Sequence, residues 1–355
     1  MHQALASLAK FETLRVLDFQ GCWGLTEYDM NGMENLCQLK YLSFSETCIS
    51  ELQSGIVMLH NLETLDLRST IIRDLPARIV QLTKLQHLLG FLSWWKIPVG
   101  IGNMTNLKEI SGFDITTSSV GAVEELGSLI NFKVLYVHCE ESQECKSRAE
   151  MFHSSLCKLG SYKLQSVLID RSNSSPFELL DSWSPLPSCL QRFEMSTPEY
   201  YFSKLPKWIT PALTSLTYLD IHLSVLTEEI LGILGELPAL LSLKLFTDMV
   251  HEVRLVLQGI GFRCLNEFVY EPFGAATLVF EKGALPKLEK LQLWFFVSMA
   301  RTYGFYLGLE HLPYLKAALV VLNNGDATSS EVEAAAAVIR KEANLNPNHP
   351  RLFLR

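Results

Sequence analysis

Leu62-Glu63-Thr64-Leu65-Asp66-Leu67-Arg68-Ser69-Thr70 is the stretch that decides the fold, because the same spacing stands on either side of it. Upstream are Leu39-Lys-Tyr-Leu42-Ser-Phe44-Ser-Glu-Thr47 and Leu14-Arg-Val-Leu17-Asp-Phe19-Gln-Gly-Cys22. Downstream the frame runs through Leu85/Leu88, Leu107/Ile110, Phe132/Leu135/Val137, Leu164/Val167/Ile169 and Leu190/Phe193/Met195. It continues at Leu216/Leu219/Ile221, Leu240/Leu243/Leu245, Leu265/Phe268/Tyr270 and Leu288/Leu291/Leu293, and a weaker Leu312/Leu315 ends it. In each unit the x-L-x-L core alternates with period two, the signature of a short strand whose leucines all point to one side. One such unit cannot bury its apolar side alone, whereas stacked units cover one another.

The expectation is therefore an α/β leucine-rich-repeat solenoid of the horseshoe type. It has a parallel β-sheet on the concave face, an irregular convex side and a C-terminal capping helix. A further leucine three residues upstream (Leu36, Leu59, Leu82, Leu237) should pack beneath each strand. Cys22, Thr47 and Thr70 fall where the chain leaves the strand, where a small polar group can satisfy buried backbone amides. That position degrades later to Glu140, Ser224, Asp248 and Phe296, which predicts less regular turns.

Residues 1–325 read as about thirteen repeats and residues 326–355 as a capping helix and tail. Ser330-Glu-Val-Glu333 has the form of a capping box opening a helix over Glu331–Ala343, with the tail shielding the last strand. Leu5, Leu8 and Phe11 look like the end of a preceding repeat, the expectation for a piece of a longer receptor or a product that lost its upstream part. The long spacing around Glu140–Lys158 predicts an enlarged helix carrying Met151, Phe152, Leu156 and Leu159. Arg171–Pro187, rich in serine and proline, reads as a surface loop.

Composition narrows the partners. Of 355 residues, 48% are hydrophobic and 19% charged, enough apolar material for a core. A net charge of −8 without a basic run argues against nucleic acid or an anionic membrane as partner. Mean hydropathy is +0.17, but apolar runs such as Leu315–Leu322 are too short to span a bilayer. The opening residues lack the basic and apolar regions of a secretory signal, so an intracellular, cytoplasmic location with reduced thiols is expected. The eight cysteines have no zinc-like spacing, and no nucleophile elbow, metalloprotease helix or dinucleotide loop occurs. No catalytic residue, metal or cofactor is expected, and an enzyme is the weakest reading.

Several strings resemble the leucine-rich-repeat region of plant intracellular immune receptors of the coiled-coil, nucleotide-binding type, most like those of cereals. They include Leu14-Arg-Val-Leu-Asp18, Asp74-Leu-Pro-Ala-Arg-Ile79 and Gly100-Ile-Gly-Asn-Met-Thr-Asn-Leu107. More specific are Leu205-Pro-Lys-Trp-Ile209, Gly283-Ala-Leu-Pro-Lys-Leu-Glu-Lys-Leu291, Gly308-Leu-Glu-His-Leu-Pro313 and Asn346-Pro-Asn-His-Pro350. The resemblance implies plant defence. The partner would be a pathogen effector or host guardee bound through the concave face, with a nucleotide-binding domain in cis or trans as a further partner. No G-x-x-x-x-G-K-[ST] loop or heptad segment is present, so the family's nucleotide switch is not in this chain. Glu51-Leu52-Gln53 lacks the family's usual proline, which should loosen one convex turn. The alternative is a stand-alone intracellular scaffold, adaptor or decoy without a signalling domain. A ubiquitin-ligase subunit would need an F-box, and an extracellular receptor would need cysteine-pair caps.

Residues between the strand leucines face the concave side and are the candidate contacts. The binding set is Tyr41, Asp66, Arg68, Tyr136, Arg192, Tyr218, Asp220, His222, Lys244, Phe246, Lys290 and Trp294. Tyr218, Phe246 and Trp294 are expected to form an aromatic column. Asp220 and His222, two apart on one strand, are expected to hydrogen-bond, and one of Trp94 and Trp95 to be core while the other is free to meet a partner.

Overall fold

A computed structural model describes residues 11–90, 94–140, 145–172, 177–195, 201–248, 253–259, 261–273 and 276–355. Leu5, Leu8, Phe91–Ser93 and parts of the 140–158 and 171–187 segments lie outside these. The chain divides into two compact units, Met1–Leu190 and Gln191–Arg355.

In the first unit the strands are β1 (Val16–Asp18), β2 (Tyr41–Ser43), β3 (Thr64–Asp66), β4 (His87–Leu89), β5 (Trp95–Lys96), β6 (Glu109–Asp114), β7 (Val134–Glu140) and β8 (Ser166–Ser172). All pairings are parallel, in the order β1-β2-β3-β4-β6-β7-β8, with β5 added to the far end of β6. The register joins the repeat leucines: Leu17 to Leu42, Leu42 to Leu65, Leu65 to Leu88 and Leu88 to Ile110. Apart from Leu17 on β1, these side chains are completely buried, as are Leu36, Leu59 and Leu82 beneath them. Burying each contributes on the order of 1.5–3 kcal/mol.

The early turns are alike. Gly21, Glu46 and Ser69 hold the left-handed conformation, and the next residue is Cys22, Thr47 or Thr70. Thr47 and Thr70 use their hydroxyls on backbone carbonyls. Each donates its hydroxyl to a strand carbonyl, Thr47 to Phe44 at 2.7 Å and Thr70 to Leu67 at 2.8 Å. The carbonyl is the group left over when the chain bends away from the ladder. Gln53 lacks proline's ring but not its conformation, with φ −61° and ψ 141° against −55° and 130° at Pro76. Each precedes a five-residue 3-10 turn, Ser54–Met58 and Ala77–Gln81, so the first is not loosened.

Helices α1 (Val120–Glu125) and α2 (Cys145–Gly160) pack against one another, with the Ser155 hydroxyl donating to the Val123 carbonyl at 2.8 Å. The second buries Phe152, Leu156 and Leu159, as their spacing predicted. The following segment is more than a surface loop. Phe177–Ser182 forms a 3-10 turn, and Leu180 and Trp183 are buried, with the Trp183 indole donating to the Leu156 carbonyl at 3.1 Å.

The second unit has β9 (Arg192–Met195), β10 (Tyr218–Leu223), β11 (Ser242–Thr247), β12 (Val253–Leu257), β13 (Glu267–Pro272), β14 (Ala276–Phe280), β15 (Lys290–Phe296), β16 (Ala317–Asn323) and β17 (Arg351–Leu354). The parallel order is β9-β10-β11-β13-β15-β16-β17, while β12 and β14 pair separately. Leu291 pairs with Ala318 and Leu293 with Val320, so the last predicted unit is framed on Leu315/Ala318/Val320, not Leu312/Leu315. An alanine in a leucine place hid that frame. The tail does not merely shield the last strand, because β17 is itself a strand of the sheet.

Helix α3 (Glu228–Gly235) and the one-turn α4 (Ala300–Tyr303) precede α5 (Ser329–Leu345). The capping box of α5 uses Thr328 and Glu331, two residues before the expected pair. Glu331 is further held by Arg301 at 2.7 Å, and this pairing with the cap bonds lowers its carboxyl to about 2. Inside the unit, buried Glu342 of α5 accepts from the backbone amides of Leu307, Gly308 and Leu309. Asn346 donates to the carbonyls of Leu309 and Leu312. No helix among the described residues is long and apolar enough to cross a membrane.

Candidate functional site

In each unit one face of the sheet rests on the apolar core and the other presents the residues between the leucines. The second unit gathers six of the twelve predicted contacts on β9, β10 and β11. Arg192 pairs with Tyr218 and Glu194 with Asp220; Asp220 pairs with Lys244 and His222 with Phe246. The Arg192 guanidinium lies over the Tyr218 ring at 3.7 Å and is bridged to Glu194, while Lys244 reaches the same ring at 5.5 Å. Both cations thus bracket one aromatic face.

Beneath them Asp220 is only 5% exposed. Its Oδ2 lies 3.5 Å from the Tyr218 hydroxyl and 3.7 Å from Lys244 Nζ, and its Oδ1 has no hydrogen bond. Burial pushes this carboxyl up to about 7, against the opposing charge of Lys244. His222 is 2% exposed, with Phe246 at 4.5 Å and Tyr201 at 5.7 Å between ring centroids. Burial brings it down to about 4, so it is neutral at physiological pH. The expected Asp220–His222 hydrogen bond does not form, since Nε2 and Oδ1 are 3.7 Å apart.

The aromatic column also divides. Tyr218 aligns with Ser242, Phe246 with His222, and Trp294 with Val321, so Tyr218 lies four residues along the strands from the row of Phe246. Lys290 is exposed, aligned with Glu267 on one side and Ala317 on the other. Tyr201 is the contributor that sequence reasoning missed. It stands outside the repeat frame, and an isolated bridge from Phe202 to Leu223 brings it to the sheet.

In the first unit Tyr41 is half-buried on β2. On β3, Asp66 is 1% exposed and receives three bonds from Arg68: the backbone amide at 3.1 Å, Nε at 2.9 Å and a terminal nitrogen at 2.6 Å. Tyr136 belongs to a second cluster. The core member of the tryptophan pair is Trp95, fully buried, with its indole donating to the Ile72 carbonyl at 2.9 Å. Its ring lies where a Cβ on Gly90 would stand. Trp94 turns outward with φ +32° and stacks on His138 at 4.5 Å, edge to face with Tyr136 at 5.4 Å. His138 Nδ1 is 3.5 Å from Asp170 Oδ2. The spacing of Trp94 and Trp95 was visible in the sequence, but not which of them would turn out.

A sheet of this kind, made of parallel strands one per repeat with its polar face open, defines a leucine-rich-repeat protein. The chain belongs to that family: the model of the leucine-rich repeat region matches residues 1–352. Its relatives are disease resistance proteins of rice, Oryza sativa subsp. japonica. It is 28% identical to disease resistance protein Pik-2 over 397 residues, covering 96% of this chain and 37% of Pik-2. It is 30% identical to disease resistance protein RGA5 over 354 residues, covering 96% of this chain and 31% of RGA5. The chain thus spans about a third of the length of these relatives. Among solved structures it resembles the Leptospira interrogans LRR protein LIC12759, with TM-score 0.50 and 19% identity over 97% of this chain and 91% of that one. The functional domain of InlJ from Listeria monocytogenes also gives TM-score 0.50, at 15% identity over 90% and 69% of the two chains. These two show the fold.

Proposed function

We propose that the chain is the protein-recognition part of an intracellular plant immune receptor, acting by surface complementarity on a pathogen effector or a host protein. The observation that carries this is the open face of the second unit. There Arg192 lies over Tyr218, two residue types enriched at binding hot spots, with Lys244 beside the same ring and Phe246 farther along the sheet face. The similarity to rice disease resistance proteins over nearly the whole chain supports the same reading.

The test is co-precipitation with candidate effectors and host proteins, comparing the natural chain with Phe246→Ala and Trp294→Ala. Both side chains are half-exposed on the open face, so folding should persist by circular dichroism while capture falls at least tenfold. Unchanged capture by folded variants counts against this face as the contact.

A further inference from the structure

We infer that the open face of the first unit carries a receptor corner for a cationic side chain of a protein partner, arginine above lysine, formed by Trp94, Tyr136, His138 and Asp170. The inference rests on the reading of the open sheet face as a recognition surface and adds the chemistry of what is recognised. Three neighbouring strands place Asp114, His138 and Asp170 in one row, Asp114 aligned with His138 and His138 with Asp170. Trp94 covers the middle of that row, stacked on His138 with 26° between the rings, and Tyr136 meets it at 87°, so two aromatic walls stand at a right angle.

The charges are uneven. Asp114 is 7% exposed and already receives the Thr116 amide at 2.7 Å and the Thr117 hydroxyl at 2.9 Å, so it contributes field more than contact. The Asp170 side chain, which also meets His138, is 22% exposed, the more open of the two carboxylates. Lys96 is aligned with Asp114 at the other end of the described row. Aromatic faces and a carboxylate together attract a cation, and a planar guanidinium can lie on an indole while its fork reaches a carboxylate. An anionic group would meet two carboxylates and the negative faces of two rings. The left-handed φ of Trp94 is costly for a bulky residue, and it stands next to Trp95, whose indole is anchored on the Ile72 carbonyl.

The test is a titration of the isotopically labelled full chain with the blocked tripeptide Ac-Gly-Arg-Gly-NH2, and with its lysine and glutamate counterparts. Binding is followed on the Trp94 indole N–H, identified by its loss in Trp94→Phe, and on the His138 backbone amide. The arginine peptide should shift both signals saturably and the lysine peptide more weakly. The glutamate peptide should shift neither, and raised salt should weaken the binding. Asp170→Asn should weaken arginine binding at least fivefold. Trp94→Gly, which removes the ring but suits a positive φ and so keeps the fold, should weaken it as much. Equal shifts with the glutamate peptide, no shift with arginine, or arginine binding indifferent to Asp170→Asn each overturn the inference. If the arginine peptide is ignored while Phe246→Ala and Trp294→Ala still abolish co-precipitation, the corner falls and the recognition reading stands. If the peptide binds as described while co-precipitation ignores every open-face substitution, the corner stands without that reading.

Discussion

Asp220 ties the open face of the second unit to pH. Its folded-state value near 7 lies above the ordinary 3.8, so the folded state prefers it protonated. Its contribution to stability is full below about pH 4 and is lost as pH rises through 7. His222, lowered to about 4 from 6.5, works in the other sense: its contribution is present above pH 6.5 and is lost as pH falls through 4. Asp220→Asn should therefore raise stability at pH 8 by roughly 1–3 kcal/mol and leave it nearly unchanged at pH 4. Urea unfolding at the two pH values checks this, and equal effects at both would refute the assignment. The opposite placement of these two groups was not legible in the sequence, which shows only that they share a face. Their burial comes from Tyr201, Tyr218, Lys244 and Phe246, three of them on other segments.

At the scale of elements, strand length follows the turn residue. Where Gly21, Glu46 and Ser69 bend the chain and Thr47 and Thr70 tie down its carbonyl, β1 to β3 are three residues long. Where that chemistry is lost, β7 runs on through Glu140 and β15 through Phe296. The degraded turn position was visible in the sequence; its outcome, longer strands, was not. A second irregularity sits at Gly112, where the register of β6 against β7 slips by one residue and φ is +87°. A Cβ there would stand 2.8 Å from the Gly90 carbonyl carbon. Gly112→Ala should cost at least about 2 kcal/mol, from both the backbone conformation and the clash. A smaller loss, measured by thermal unfolding, would mean the bulge can relax. On α5, Glu342→Ala leaves three buried amides of residues 307–309 without their acceptor. It should cost roughly 2–4 kcal/mol and expose those amides to hydrogen exchange first.

Across the whole molecule, stability is local, because each strand pairs only with its neighbours. Leu65 lies fully buried between Leu42 and Leu88. Leu65→Ala should cost roughly 2–5 kcal/mol, and by hydrogen exchange the loss should concentrate on β2 to β4. Equal loss of protection over residues 191–355 would show that the chain unfolds as one cooperative body.

The recurrence of leucine at positions such as 14, 39 and 62 was enough to set the parallel strand-per-repeat architecture, since period-two alternation and stacking leave an apolar strand face no other stable solution. It also fixed which residues face outward, and the strings around Leu205 and Gly308 pointed to the family of disease resistance relatives. Only the tertiary structure decided which outward residues meet. The register put Tyr218 and Phe246 in separate rows, Trp95 went into the core while Trp94 stacked on His138, and Tyr201 arrived from a segment outside the repeat. Alternation is a local property that every short segment carries in itself. Burial, strand register and the position of a connecting segment depend on residues some twenty or more places away, and no spacing within one repeat records them.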